Sequence, residues 1–220
     1  MKTLKVEMLV LGLVSTNTYV VYNENTREAF IVDPSADAPR IIDLINKLEV
    51  RPVAILLTHG HFDHIMAVDE LRDRYQIKVY LHEEEDDIAS IPEHNCSLDV
   101  LGEPFSVKAD IFLKDREHIS LLGVDWEVIL TPGHTKGGCC YYAADEELLL
   151  SGDTLFKESY GRCDLYSSSK KAMIHSILDR LFVLPEETLV LPGHGPVTTI
   201  KREKKRNIIS VYIGRNIDLL

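Results

Sequence analysis

Three imidazoles and one carboxylate fall within the six residues His59-Gly60-His61-Phe62-Asp63-His64, directly after the apolar run Val53-Ala54-Ile55-Leu56-Leu57. Buried together without a cation, these groups would lose hydration and compete for protons, so the segment is either a polar surface loop or half of a site for two metals. The same arrangement recurs along the chain. Trp126-Glu127-Val128-Ile129-Leu130 ends at Thr131-Pro132-Gly133-His134, Leu148-Leu149-Leu150 at Ser151-Gly152-Asp153, and Leu189-Val190-Leu191 at Pro192-Gly193-His194. Short apolar runs bounded by Gly and Pro read as buried strands. Any one of these endings is ordinary turn chemistry. Four strand ends that each deliver a metal-capable side chain predict convergence at one edge of a core.

The remaining pattern predicts strands near 4–11, 18–23, 28–32, 53–57 and 78–81. Helices are predicted near 37–49, where Ile41, Ile42, Leu44, Ile45 and Leu48 form an apolar stripe, and from His64 to about Tyr75. A second set of strands follows near 118–122, 124–130, 139–144, 147–150 and 188–191, with helices at 169–183 and from about 199. Two sets of strands and helices suggest two sheets packed face to face in a mixed α/β (α+β) domain. With 220 residues, 45% of them apolar, and no linker-like stretch, the expectation is a single domain over 1–220. The segment 90–110, bracketed by Pro92 and Pro104, is either a lid over the site or a surface crossing.

The ordered set His59, His61, Asp63, His64, His134, Asp153, His194 resembles the seven metal ligands of the metallo-beta-lactamase superfamily. Gly152-Asp153-Thr154-Leu155-Phe156, Gly161-Arg162-Cys163-Asp164 and Leu191-Pro192-Gly193-His194-Gly195-Pro196 further resemble its short, glyoxalase II-like hydrolase branch. The resemblance runs from about Asn17 to Ile200. It implies a four-layer αββα sandwich and two divalent metal ions, zinc first with iron or manganese as alternatives. By matching position, His59, His61 and His134 would hold one ion, Asp63, His64 and His194 the other, and Asp153 would bridge them.

Imidazole nitrogen and carboxylate oxygen suit these metals, and a pair of ions can generate a bridging hydroxide at neutral pH while polarising a carbonyl. No serine or cysteine nucleophile is then needed. A thioester, with an electrophilic carbonyl and a good leaving group, suits such a site. The expected activity is therefore metal-dependent hydrolysis of a small acyl thioester such as a hydroxyacyl-glutathione, with Asp63, Asp153 and Arg162 as the catalytic candidates. Arg162 would either clamp a substrate carboxylate or form a structural ion pair with Asp164 or a ligand carboxylate. Lys157, Tyr160 and Tyr166 are weaker candidates, and Cys163 is expected to be passive.

The alternative within the same fold is a persulfide dioxygenase, with one iron on positions corresponding to His59, His134 and Asp153. Gly195 after His194 departs from the Asp usual there and favours the hydrolase. The larger glyoxalase II enzymes contact glutathione through a C-terminal extension that a chain ending at Leu220 is not expected to contain, so the thiol carrier stays open.

A formal charge of −11 argues against nucleic-acid binding, and against a nuclease of the same superfamily. The run Glu83-Glu84-Glu85-Asp86-Asp87 is expected to be a solvated helix start, and Lys201–Arg206 a solvated helix face. Cys96, Cys139, Cys140 and Cys163 show no disulfide-like spacing, and no stretch approaches a membrane span. A charge-interrupted start and reduced cysteines suggest a cytoplasmic protein. His82, His94, His118 and His175 lack ligand spacing and are expected on the surface or satisfied in the core.

Overall fold

Residues 4–215 are described by the computed structural model. Six strands, β1 (Leu4–Leu11), β2 (Thr16–Asn23), β3 (Glu28–Val32), β4 (Arg51–Leu56), β5 (Lys78–His82) and β6 (Ile111–Leu113), form one sheet in chain order. β1 to β3 pair antiparallel; β3 to β6 pair parallel. The second sheet holds β7 (His118–Leu121), β8 (Val124–Leu130), β9 (Cys139–Ala143), β10 (Leu148–Gly152), β13 (Leu189–Pro192) and β14 (Thr198–Thr199), in the order β14-β13-β10-β9-β8-β7. A short hairpin, β11 (Leu155–Phe156) and β12 (Ser159–Tyr160), stands beside it.

Successive strand side chains point to opposite faces, and β3 shows the result. Phe30 and Val32 turn inward to Trp126, Val128 and Tyr141 of the other sheet, with the rings of Phe30 and Trp126 edge to face at 5.1 Å. Ala29 and Ile31 turn outward to helices α1 (Ala38–Leu48) and α3 (Val68–Tyr75), meeting Ile41, Ile45, Val68 and Leu71. On the far side, Ile129, Leu149 and Val190 pack against α6 (Lys170–His175) and α7 (Ile200–Arg206) through Met173, Ile174 and Ile200. The layers run helix, sheet, sheet, helix, and the four-layer sandwich expected from the resemblance is observed.

Three local expectations are corrected. The helix expected from His64 to Tyr75 is two, α2 (Phe62–Ile65) and α3, because the Ala67 amide leaves the helical ladder to donate to Pro34 O at 3.0 Å. The helix expected over 169–183 is α-helical only to His175 and continues as a π-helix over Ser176–Leu181. The acidic run is not wholly solvated: Glu85 lies just before α4 (Asp86–Ser90) and is completely buried.

The segment 90–110 is settled by α5 (Ser97–Leu101). Asn95 accepts at its carbonyl from the Phe62 amide and donates from its side chain to Phe105 O, so the segment is tied down next to α2. No helix among the described residues is long and apolar enough to cross a membrane.

Candidate metal centre

The C-terminal ends of β4, β8, β10 and β13 meet at one edge of the sandwich, and all seven ligand candidates meet there with them. Ligand atoms of His59, His61 and His134 lie within 4.8 Å of one another, as do those of Asp63, His64 and His194. Asp153 stands between the triads. Its Oδ1 is 3.5 Å from His64 Nε2, and its Oδ2 is 3.5 Å from His134 Nε2 and 3.4 Å from His194 Nε2. Asp63 Oδ2 is 3.3 Å from both His64 Nε2 and His194 Nε2 and accepts a hydrogen bond from Thr16.

The imidazoles are aimed by their outer nitrogens. The single Thr58 hydroxyl proton goes to Asp33 Oδ2 at 2.7 Å, so the same oxygen, 3.1 Å from His59 Nδ1, accepts from that ring and leaves His59 Nε2 as a free lone pair. His64 Nδ1 sits 3.0 Å from Asp33 Oδ2, and His134 Nδ1 sits 2.8 Å from the Arg162 carbonyl. Such outer bonds fix the tautomer and present the other nitrogen to a metal.

The site's polar atoms fit a cation. His59 Nε2, His61 Nε2, His64 Nε2 and Asp153 Oδ1 are buried with no hydrogen-bond partner, and His61 Nδ1 faces His134 Nε2 at 2.9 Å. Orphaned buried atoms of this kind cost stability unless something positive satisfies them.

Electrostatics divide the two triads. Burial and the neighbouring imidazoles push His59 well below the usual histidine range and His61 down to about 3. Burial acts in the same direction on His64 and His194, but carboxylates overcome it. Asp63, Asp153 and Asp33 hold His64 well above the usual range, and Asp153 and Asp63 lift His194 to about 9. Burial alone would raise Asp63 and Asp153; His64 and His194 hold both below the usual carboxylate range. The Asp63 side thus draws in positive charge, while the His59 side offers neutral nitrogen.

Two glycines allow the close approach. A Cβ on Gly193 would lie 2.2 Å from Asp153 Oδ1, and one on Gly161 would lie 1.9 Å from Asp153 O.

Two supporting residues escaped the sequence reading. Asp33 directly follows the apolar run Ala29-Phe30-Ile31-Val32, so the rule that found His134 and Asp153 would have found it too. Glu85 carried no such signal. Its carboxylate accepts from the Gly60 amide at 2.9 Å and the Gly137 amide at 3.0 Å, tying the His59–His64 loop to the His134 loop. Burial lifts its pKa to about 7 despite the hydrogen bonds from the Gly60 and Gly137 amides.

Arg162 does not reach into the ligand set. Its Nε and Nη2 bind Asp164 at 2.7 and 2.8 Å, while its carbonyl steadies His134. Tyr160 lines the cavity at the site, Lys157 is exposed, and Tyr166 stacks on His94 with ring centroids 3.8 Å apart. The half-buried Cys163 thiol is pushed up to about 11 by burial, which suits a passive role. His82 accepts from the Glu84 amide, and His118 and His175 pair with Asp125 and Asp179.

Residues 11–194 match the profile described as Metallo-beta-lactamase superfamily. The chain belongs to the metallo-beta-lactamase superfamily. As a member it is a metal-binding hydrolase, and its relatives share nearly its full length. The Probable metallo-hydrolase YqgX of Bacillus subtilis is 36% identical over 205 residues, 93% of this chain and 96% of that protein. Hydroxyacylglutathione hydrolase GloC of Haemophilus influenzae is 30% identical over 212 residues, 93% and 97% of the two chains. Among solved structures, BLEG-1 B3 metallo-beta-lactamase superposes with a TM-score of 0.89 at 40% identity, covering 93% of this chain and 98% of that one. TTHA1623 in a di-iron-bound form superposes with a TM-score of 0.80 at 32% identity, covering 92% and 98%.

Proposed function

We propose that this superfamily member hydrolyses acyl thioesters at a two-metal site, in the manner of the glyoxalase II-like branch. The observation that carries the reading is the contact of Asp153 with both complete triads. His59, His61 and His134 would hold one ion, Asp63, His64 and His194 the second, and Asp153 both. When bound, two divalent ions supply an activated water at neutral pH and polarisation of the target carbonyl.

The chain's own residues then position and exclude. Asp33 and Thr58 hold the rings of His64 and His59, the Arg162 carbonyl holds that of His134, and Thr16 holds Asp63. The cavity in front of them, of about 590 Å³, accommodates a small acyl compound. A thiolate leaves without a strong general acid, which agrees with a cavity that, among the described residues, holds no carboxyl group beyond the ligands other than Asp99 at its rim. The 30% identity with GloC supports a thioester, the acidic chain supports a small-molecule substrate in place of nucleic acid or membrane, and the four free cysteines support a reducing, cytoplasmic setting.

The dioxygenase alternative would employ His59, His134 and Asp153 alone. It would leave the assembled Asp63, His64 and His194 triad without a role, so the hydrolase is preferred.

Initial rates of S-lactoylglutathione hydrolysis by zinc-reconstituted and metal-free protein test the proposal, with other acyl-glutathiones run beside it. Metal-dependent release of thiol is expected. No thiol release from any thioester by protein carrying two ions, or oxygen uptake with glutathione persulfide by iron-loaded protein, would overturn it.

A further inference from the structure

Beyond the ligands, the cavity walls are largely apolar. Phe62 and Phe156 flank the ligand set, the Phe156 ring meeting that of His194 at 5.9 Å between centroids. Leu165 adds to the wall, and at the mouth Val14 and Val100 stand 46% and 50% exposed. The Cys96 thiol, pushed up by burial, stays protonated and behaves as a small apolar group. Half-exposed valines beside a functional opening are surface that a ligand can cover with profit to binding.

Charge points the same way. Among the described residues, Arg162 is the only Lys or Arg lining the cavity, and Asp164 already engages two of its nitrogens. Among the described residues, Asp99 is likewise the only carboxylate there apart from Asp63 and Asp153. Ser159 and Tyr160 supply the hydroxyls among the described lining residues, so the walls lack a free cationic clamp for a substrate carboxylate and set only these two hydroxyls against a longer apolar stretch of Phe62, Phe156, Leu165, Val14 and Val100.

We infer that the acyl group bound here is an alkyl chain, laid along Phe156, Leu165 and Val100 with its carbonyl at the Asp153 end. The inference rests on the thioesterase reading and specifies its substrate as unsubstituted alkyl thioesters, preferred over hydroxyacyl ones. Each methylene moved from water onto these walls should improve kcat/KM by up to about fourfold.

The test keeps one thiol carrier and varies the acyl group: acetyl-, butyryl- and hexanoyl-glutathione against S-lactoylglutathione, all with zinc-loaded protein. Hexanoyl is expected to exceed both acetyl and lactoyl by at least tenfold in kcat/KM. Calorimetry of straight-chain carboxylates gives a readout without turnover, and octanoate should bind at least tenfold more tightly than acetate. Val14→Asn and Val100→Asn, at half-exposed positions that tolerate a polar side chain, should flatten both trends.

A flat chain-length series, a preference for lactoyl, or equal binding of octanoate and acetate would overturn the inference while leaving thioester hydrolysis intact. Tight octanoate binding without cleavage of any thioester would do the reverse, supporting the alkyl subsite and sinking the thioesterase reading.

Discussion

Asp33 Oδ2 lies 3.0 Å from His64 Nδ1, and this contact aims the opposite nitrogen, Nε2, at Asp63 and Asp153. The same oxygen takes the Thr58 hydroxyl proton, so one carboxylate at the end of β3 orients a ring of each triad. Asp33→Ala should weaken zinc binding by about 10- to 100-fold, the usual cost of removing an outer partner of a metal-bound histidine. Competition with a chromophoric chelator measures it, and unchanged affinity would show that the rings are held by packing alone.

The Asp153 carboxylate lies within 3.5 Å of His64, His134 and His194 together. Asp153→Ala should lower the metal content from two ions to at most one per chain, by elemental analysis, and abolish turnover. Full activity in this variant would eliminate the two-metal mechanism.

Glu85 supplies a pH dependence with a definite sign. Its folded pKa of about 7 exceeds the ordinary glutamate value of 4.5, so between these values the folded state holds more protons than the unfolded one, and stability falls as pH rises. The contribution is fully present below about 4.5 and lost above about 7, a swing of roughly 3 kcal/mol. Glu85→Gln removes this slope and adds a constant penalty of about 1–3 kcal/mol for the amide left facing an N–H group. Urea unfolding of both proteins at pH 5 and pH 8, with chelator present, should show the stability difference move in favour of Glu85→Gln by roughly 2–3 kcal/mol at the higher pH, enough to cancel or reverse its penalty; a constant difference would refute the assignment.

At Gly193 the expectation is steric. A Cβ there lands 2.2 Å from Asp153 Oδ1 and 2.8 Å from His64 Cε1, so Gly193→Ala must displace one of them. Zinc stoichiometry and hydrolysis should both drop sharply, whereas alanine at exposed Gly195, where a Cβ would meet nothing within 4 Å but φ is +75°, should cost only modest stability and retain the metals. Equal effects at the two positions would place the damage in the backbone and not in the site.

The strands and the two-sheet architecture were legible because side-chain alternation and Gly/Pro boundaries are local signals, and the strand starts near Leu4, Glu28, Lys78 and Val124 agree with them. The α2–α3 break was not legible, since it depends on the Ala67 amide finding Pro34 O across the chain. Arg162 was readable only as two alternatives. Its pairing with Asp164 became visible once the rotamers were in place, and its carbonyl contact with His134 has no counterpart in residue type at all.

By itself the sequence determined the inventory of metal-capable side chains, because metal chemistry demands particular side chains and each stands in a segment just past an apolar run. Tertiary structure alone decided which nitrogen of each ring faces inward, that Asp153 reaches both triads, and that Glu85 leaves a run of solvated acids to bind two amides. These are relations between atoms brought together from distant parts of the chain. No residue encodes them singly, since each depends on the partner that folding sets opposite it.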